Sequence, residues 1–212
     1  MAEKIAKEYN IKLIEVLTGF KYIGEQIKLF EENGDYSYLF GYEESYGCLI
    51  GTYARDKDAV SAVMALCEAA AFYKDKGITL WDQMINIYEK YGYYKETLAS
   101  ITLKGTEGKE KIENIMAELR KDGLESIGKL QVLAIRDYKK GVRTEKNNKE
   151  KINLPTSNVL YYELEDDAWF CIRPSGTEPK IKFYMGVVGK GLEDANNKLE
   201  YLKNNILNLF NK

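Results

Sequence analysis

The 212-residue sequence contains no histidine. This removes the commonest general base and the commonest metal ligand at neutral pH. A Ser-His-Asp or Cys-His hydrolytic site on this chain alone is excluded, and proton transfer falls to carboxylate, Lys or Tyr. Cysteine is scarce too: Cys48, Cys67 and Cys171 lie far apart, without metal-ligand spacing. An odd set of thiols among apolar neighbours reads as buried and reduced. No run of about 18 apolar residues occurs, so no membrane span is expected. The start, Met1-Ala2-Glu3-Lys4, leads into a charged stretch rather than an apolar signal core. A soluble, cytoplasmic protein with no membrane partner is the expectation. An excess of one charge is also missing. Lys plus Arg number 31 against 33 Asp plus Glu, a net charge of −2. That balance offers no general attraction to nucleic acid, so any anion site has to be local.

What is present suffices for one large or two small globular domains, with 45% hydrophobic residues. Residues 3–9 have helical spacing, and residues 11–17 alternate like a short strand. Thr18-Gly19-Phe20-Lys21 breaks that pattern before a helix over 23–31. A short apolar strand, 38–40, runs into Gly41-Tyr42-Glu43-Glu44-Ser45-Tyr46-Gly47. Asp58 is placed to cap an apolar helix over 59–76, with Gly77 as its stop, and 80–91 forms a further helix ended by Gly92. Beyond residue 97 the pattern changes. Residues 97–103, 130–138, 159–164, 168–172 and 181–188 read as strands, 107–121 and 192–210 as helices, and 139–153 as an exposed polar loop.

Two units follow. The first, 1–96, is α/β, and its two short strands are a poor sheet for three or four helices, which predicts a further strand upstream. The second, 97–212, is α+β, a four-stranded sheet with helices on one face.

Three constellations carry chemistry. Arg173-Pro174-Ser175-Gly176-Thr177-Glu178-Pro179 lies between two strands. Gly176 permits close backbone approach, successive amides in such a turn form an anion concavity, and Ser175 and Thr177 add hydroxyls. Arg173 offers a planar fork for two phosphate oxygens, with Lys180 and Lys182 nearby. The same residues also make an ordinary hairpin turn. In the Gly41 to Gly47 loop, Glu43 and Glu44 with Ser45 suit sugar hydroxyls, and Tyr42 and Tyr46 suit a sugar face. A solvated acidic turn has the same composition. Lys21 and Lys57 are cationic contacts for a phosphorylated sugar, or surface lysines.

In this order and wording, the four stretches at 18–21, 41–47, 55–58 and 173–182 resemble the α-D-phosphohexomutase family, which includes phosphoglucomutase and phosphomannomutase. The Gly-Tyr-Glu-Glu-Ser-Tyr-Gly wording looks most like a bacterial branch related to phosphopentomutase-type phosphoglucomutases. The resemblance implies four domains around one cleft, with 1–96 in the third and 97–212 in the fourth, whose sheet is similar to that of the TATA-box-binding protein. It implies that Glu43 and Ser45 bind sugar hydroxyls and that Arg173, Ser175, Gly176 and Thr177 hold the non-reacting phosphate. Lys21, Lys57 and Lys182 match ligand-contacting positions. Tyr46-Gly47 stands where relatives often carry His, so glucose, mannose and pentose phosphates all stay open.

The family's Thr-Ala-Ser-His-Asn-Pro phosphoserine loop and Asp-x-Asp-x-Asp magnesium loop are absent from the sequence. The resemblance therefore implies a phosphotransferase whose serine, Mg2+ and sugar bisphosphate primer act on other domains of the same protein. Residues 1–212 alone are expected to hold no catalytic residue, bind no metal and be inactive. Their expected partners are a phosphorylated sugar and those N-terminal domains. A free-standing sugar-phosphate sensor is the alternative. A single-strand nucleic-acid binder using the sheet and the 17 tyrosines is weaker, because the pI is near 5.5.

Overall fold

The computed structural model describes residues 1–43, 46–103, 105–176 and 178–210, with Thr106 described by its backbone alone. The chain divides into two compact units, Ala2–Ile87 and Tyr88–Lys212, the second including Met1.

In the first unit, helix α1 (Ala2–Glu8) has Glu3 in its first turn and Lys7 in its last, the arrangement that suits the helix dipole. Residues 11–17 form no strand, against the expectation from their alternation. Alternation needs a neighbouring strand to become a ladder, and none pairs there among the described residues. Helix α2 (Phe20–Asn33) starts three residues earlier than the spacing predicts. It ends at Gly34 in the left-handed conformation, with that N–H donating to the Phe30 carbonyl at 2.8 Å. Its buried face, Phe20, Ile23 and Ile27, packs with Leu49. Strand β1 (Phe40–Tyr42) pairs antiparallel with β2 (Cys48–Ile50), a strand the sequence reading missed. Asp58 caps α3 (Ala59–Asp75), as expected, accepting from Val60 N and Ser61 N at 3.1 and 3.0 Å. No residue of α3 is buried. Cys67, on this helix, is exposed, and Cys48 and Cys171 are half-buried, so the expectation of three buried thiols fails. Helix α4 (Leu80–Tyr91) follows.

The second unit is a sheet with two helices. Its elements are β3 (Tyr93–Thr102), α5 (Gly105–Asp122), β4 (Ser126–Ile127), β5 (Leu130–Asp137), β6 (Val142–Glu145), β7 (Asn148–Lys151), β8 (Leu160–Leu164), β9 (Trp169–Pro174), β10 (Lys180–Gly189) and α6 (Leu192–Phe210). Strands run β3-β10-β9-β8-β5-β6-β7, with β4 added beside β5, eight in all rather than four. All five alternating stretches became strands, so the four-strand reading undercounted even them. The larger gap is residues 139–153, where the expected loop is the β6–β7 hairpin. Its charged residues conceal it. Every residue of β7 is exposed, and an edge strand carrying Lys resists further pairing.

Side chains alternate across a strand. On β10, Ile181, Phe183, Met185 and Val187 are buried, and with Phe170, Ile172 and Tyr162 they form one core face. Helices α5 (Ile112, Met116, Leu119) and α6 (Leu202, Ile206) cover that face. The other face carries Trp169 stacked on Tyr161 at 5.3 Å and the Arg136–Glu163–Arg143 ion network. Arg143 first, then Arg136, holds the Glu163 carboxyl below the usual range against its own desolvation. Trp169 lies flat over Gly186, where an added Cβ would come 2.4 Å from the indole nitrogen.

Candidate functional site

Each unit presents one candidate loop, and each loop is held by a hairpin. In the first unit, Gly41 pairs with Leu49 and Tyr42 with Cys48, and Glu43 N donates to Gly47 O at 2.8 Å. Ser45, one of the expected sugar ligands, and Glu44 lie outside the described residues. Both glycines answer crowding. A Cβ on Gly41 would fall 2.5 Å from the Tyr38 hydroxyl, and one on Gly47 would fall 2.4 Å from Lys57 Cδ. Lys57 therefore lies across Gly47 and brings its ammonium 3.7 Å from Glu43 Oε2 and 3.3 Å from Asp56 Oδ1. The Glu43 side chain is 10% exposed and that of Lys57 50%, so the pair is anchored by the carboxylate. The Phe20 ring lies 5.7 Å from the same ammonium. Lys21 does not join this cluster: its ammonium sits 4.8 Å from the Tyr22 ring.

Tyr46 has φ 66 and is 104% exposed. A left-handed backbone is uncommon for a non-glycine residue and costs free energy. An aromatic ring held fully in solvent on such a backbone is available to a ligand's apolar face.

The second loop joins β9 to β10. Ser175 N donates to Lys180 O at 2.7 Å, and Glu178 N donates to Ser175 Oγ at 3.3 Å. Two of the amides the sequence reading assigned to an anion therefore close the loop itself. Gly176 is not among the residues with positive φ, and a Cβ there would meet nothing within 4 Å. Its missing side chain leaves the loop open; it does not relieve a strained angle. Thr177 lies outside the described residues.

The side chains offer more than the amides. Arg173 and Lys182 stand directly opposite each other across the β9–β10 ladder. Ile172 and Ile181 point into the core, so Arg173 and Lys182 share the open face with Lys180. Like charges directly opposed on a ladder are destabilising, yet among the described residues neither cation has an ion pair or side-chain hydrogen bond. An anion between them would remove that repulsion and accept charge-assisted hydrogen bonds.

No group of three or more Cys, Asp or Glu able to hold a metal occurs among the described residues. These side chains do not fit a magnesium site. No helix among the described residues is long and apolar enough to cross a membrane.

Residues 1–91 match the family profile described as phosphoglucomutase/phosphomannomutase, alpha/beta/alpha domain III. The phosphoglucomutase of Staphylococcus epidermidis is 40% identical over 189 residues, covering 88% of this chain and 34% of that protein. That of Staphylococcus aureus strain MSSA476 is 39% identical over 201 residues, covering 94% and 36%. The chain thus spans about a third of the length of the curated relatives it matches. Among solved structures, the open form of the Paramecium exocytosis-sensitive phosphoprotein pp63/parafusin, a phosphoglucomutase, matches with a TM-score of 0.60. It is 18% identical and covers 98% of this chain and 36% of its own. That likeness supports the fold, and together these findings identify the chain as a C-terminal portion of a phosphohexomutase, with residues 1–91 matching the family's third domain.

Proposed function

We propose that this chain is the substrate-gripping part of a phosphohexomutase that interconverts hexose 1-phosphate and hexose 6-phosphate through a bisphosphorylated sugar. In this reading Arg173, Lys182, Ser175, Gly176 and Thr177 hold the phosphate that is not being transferred. Glu43 and Ser45 accept and donate to sugar hydroxyls, with Lys57 fixing the Glu43 carboxylate and Lys21 supplying a further cation. A phosphoserine elsewhere in the whole protein gives its phosphoryl group to the bound monophosphate. The bisphosphate then turns over and returns its other phosphate to the serine. Mg2+, if held on that part of the protein, would supply charge neutralisation there. What these residues contribute is orientation and charge complementarity, which dominate phosphoryl transfer. Glu43 suits a substrate that must bind in two orientations, because a carboxylate accepts from hydroxyls on either side.

The observation that carries this reading is the opposed, uncompensated pair Arg173 and Lys182. Calorimetric titration of residues 1–212 with glucose 6-phosphate tests it. Arg173→Ala should weaken binding roughly tenfold or more, the scale of a lost charge-assisted hydrogen bond. An affinity unchanged by that substitution rejects the assignment. The sequence lacks the serine and magnesium motifs, so residues 1–212 alone should show no mutase turnover in a coupled assay with primer and Mg2+. Turnover well above blank contradicts that part. A phosphopentomutase-type enzyme and a non-catalytic sensor are the alternatives; parallel titration with mannose 6-phosphate and ribose 5-phosphate separates the first.

A further inference from the structure

We infer that the anion site of the second unit continues along the open face of its sheet and forms a sugar-phosphate subsite, with Ser100 as a further phosphate donor and Tyr184 as the platform for the sugar ring. This rests on the reading of Arg173 and Lys182 as phosphate ligands and extends it to two residues that sequence motifs do not reach.

The ladder register places both residues. Lys182 stands between Arg173 on β9 and Ser100 on β3. These three share one row across the open face, and Ser100 is exposed. Lys180 pairs with Thr102 one pleat beyond, so the corner of the face holds three cations and two hydroxyls. One pleat the other way, about 6.8 Å along the strands, the row is Cys171, Tyr184 and Leu98. Tyr184 is half-buried and Leu98 is 50% exposed. A cationic, hydroxyl-bearing row therefore adjoins an apolar one with an aromatic at its centre.

That order matches a sugar carrying one phosphate. The phosphate takes Arg173, Lys182 and Ser100. The ring's C–H face lies on the aromatic, and its hydroxyls point away from the sheet. Inorganic phosphate fills the first row alone. A peptide or a base would need a longer apolar surface, and the next row is closed by Trp169 lying over Gly186.

Calorimetric titration of residues 1–212 with inorganic phosphate and with glucose 6-phosphate tests the subsite. Tyr184→Leu keeps apolar bulk without a ring. It should weaken glucose 6-phosphate about tenfold and leave inorganic phosphate within about twofold. Ser100→Ala should weaken both ligands about threefold, the loss of one hydroxyl hydrogen bond. Circular dichroism and Trp169 fluorescence confirm folding, and Tyr184→Phe, which keeps the ring, should bind both ligands like the unaltered chain. If Tyr184→Leu binds both ligands normally, or loses both equally, the subsite is rejected. Provided Arg173→Ala still weakens both, the anion site survives that result. If Arg173→Ala binds both as before, or the unaltered chain binds neither, the anion site fails and the subsite fails with it.

Discussion

The two units differ most in how much of their apolar sequence they hide. Among the described residues, the unit Tyr88–Lys212 closes 16 buried residues into one core. The unit Ala2–Ile87 closes only Phe20, Ile23, Ile27 and Leu49. Helix α3 makes the contrast sharpest. It leaves Val60 70%, Val63 60%, Met64 68% and Phe72 54% exposed. A helix apolar on all sides is composed for a buried position, so α3 is written for more cover than the described residues give it. The unit with the rich core also holds the opposed cations. The unit with the poor core holds the Glu43–Lys57 loop.

The largest effect should come from breaking the rich core. Phe183 is fully buried and packs 4.9 Å from Phe210. Phe183→Ala should cost about 3–5 kcal/mol, read as a lower urea midpoint in Trp169 fluorescence. The equivalent break in the first unit is Leu49→Ala, expected near about 2 kcal/mol because a small core collapses more easily around the gap. The two tryptophans sit one in each unit, Trp81 and Trp169, so variants retaining one of them report each unit alone. If Leu49→Ala shifts the Trp169 transition as much as Phe183→Ala does, the two units are one cooperative body and the comparison fails.

The same contrast explains what the sequence made legible. Where a strand or helix buries one face, its period shows, and β3, β5, β8, β9, β10 and the cap at Asp58 were readable. Where no face is buried, period misleads: residues 11–17 alternate without a ladder, and β7 forms a ladder without alternation. The loops were legible as motifs, but the reasons for their residues were not. Gly47 is glycine because Lys57 lies across it, a contact between residues ten positions apart. The opposition of Arg173 and Lys182 depends on register, and so does the placement of Ser100 and Tyr184, which carry no motif.

Acid should act on both units with the same sign. Asp58 is held down at about 2, first by the Tyr53 hydroxyl and then by the amides of Ser61 and Val60. Its contribution is fully present above the unfolded value near about 3.9 and is lost as pH falls towards about 2. Glu163 is also held below its usual range, chiefly by Arg143, so its contribution likewise disappears on acidification below about pH 4.3. Asp58→Asn should flatten the acid limb seen by Trp81, and Glu163→Gln the limb seen by Trp169. A limb that stays as steep in its own unit's variant rejects that assignment.

The smallest expected effect is a difference of sign between two tyrosines. Tyr38 donates its hydroxyl to Leu49 O at 3.0 Å, so Tyr38→Phe should cost the first unit about 1 kcal/mol, the net worth of one hydrogen bond. Tyr162 is fully buried, and its hydroxyl has no hydrogen-bond partner among the described residues. Burial, above all, pushes its ionisation upward. Its ring stacks on Phe170 at 4.4 Å, a contact phenylalanine would keep. Tyr162→Phe removes a desolvated, unpaired oxygen and nothing else, so it should stabilise the second unit by about 1 kcal/mol. Urea midpoints of the two variants decide the matter. A loss on Tyr162→Phe would mean that the hydroxyl finds a partner in solution, and the core of the second unit would then be less dry than its burial implies.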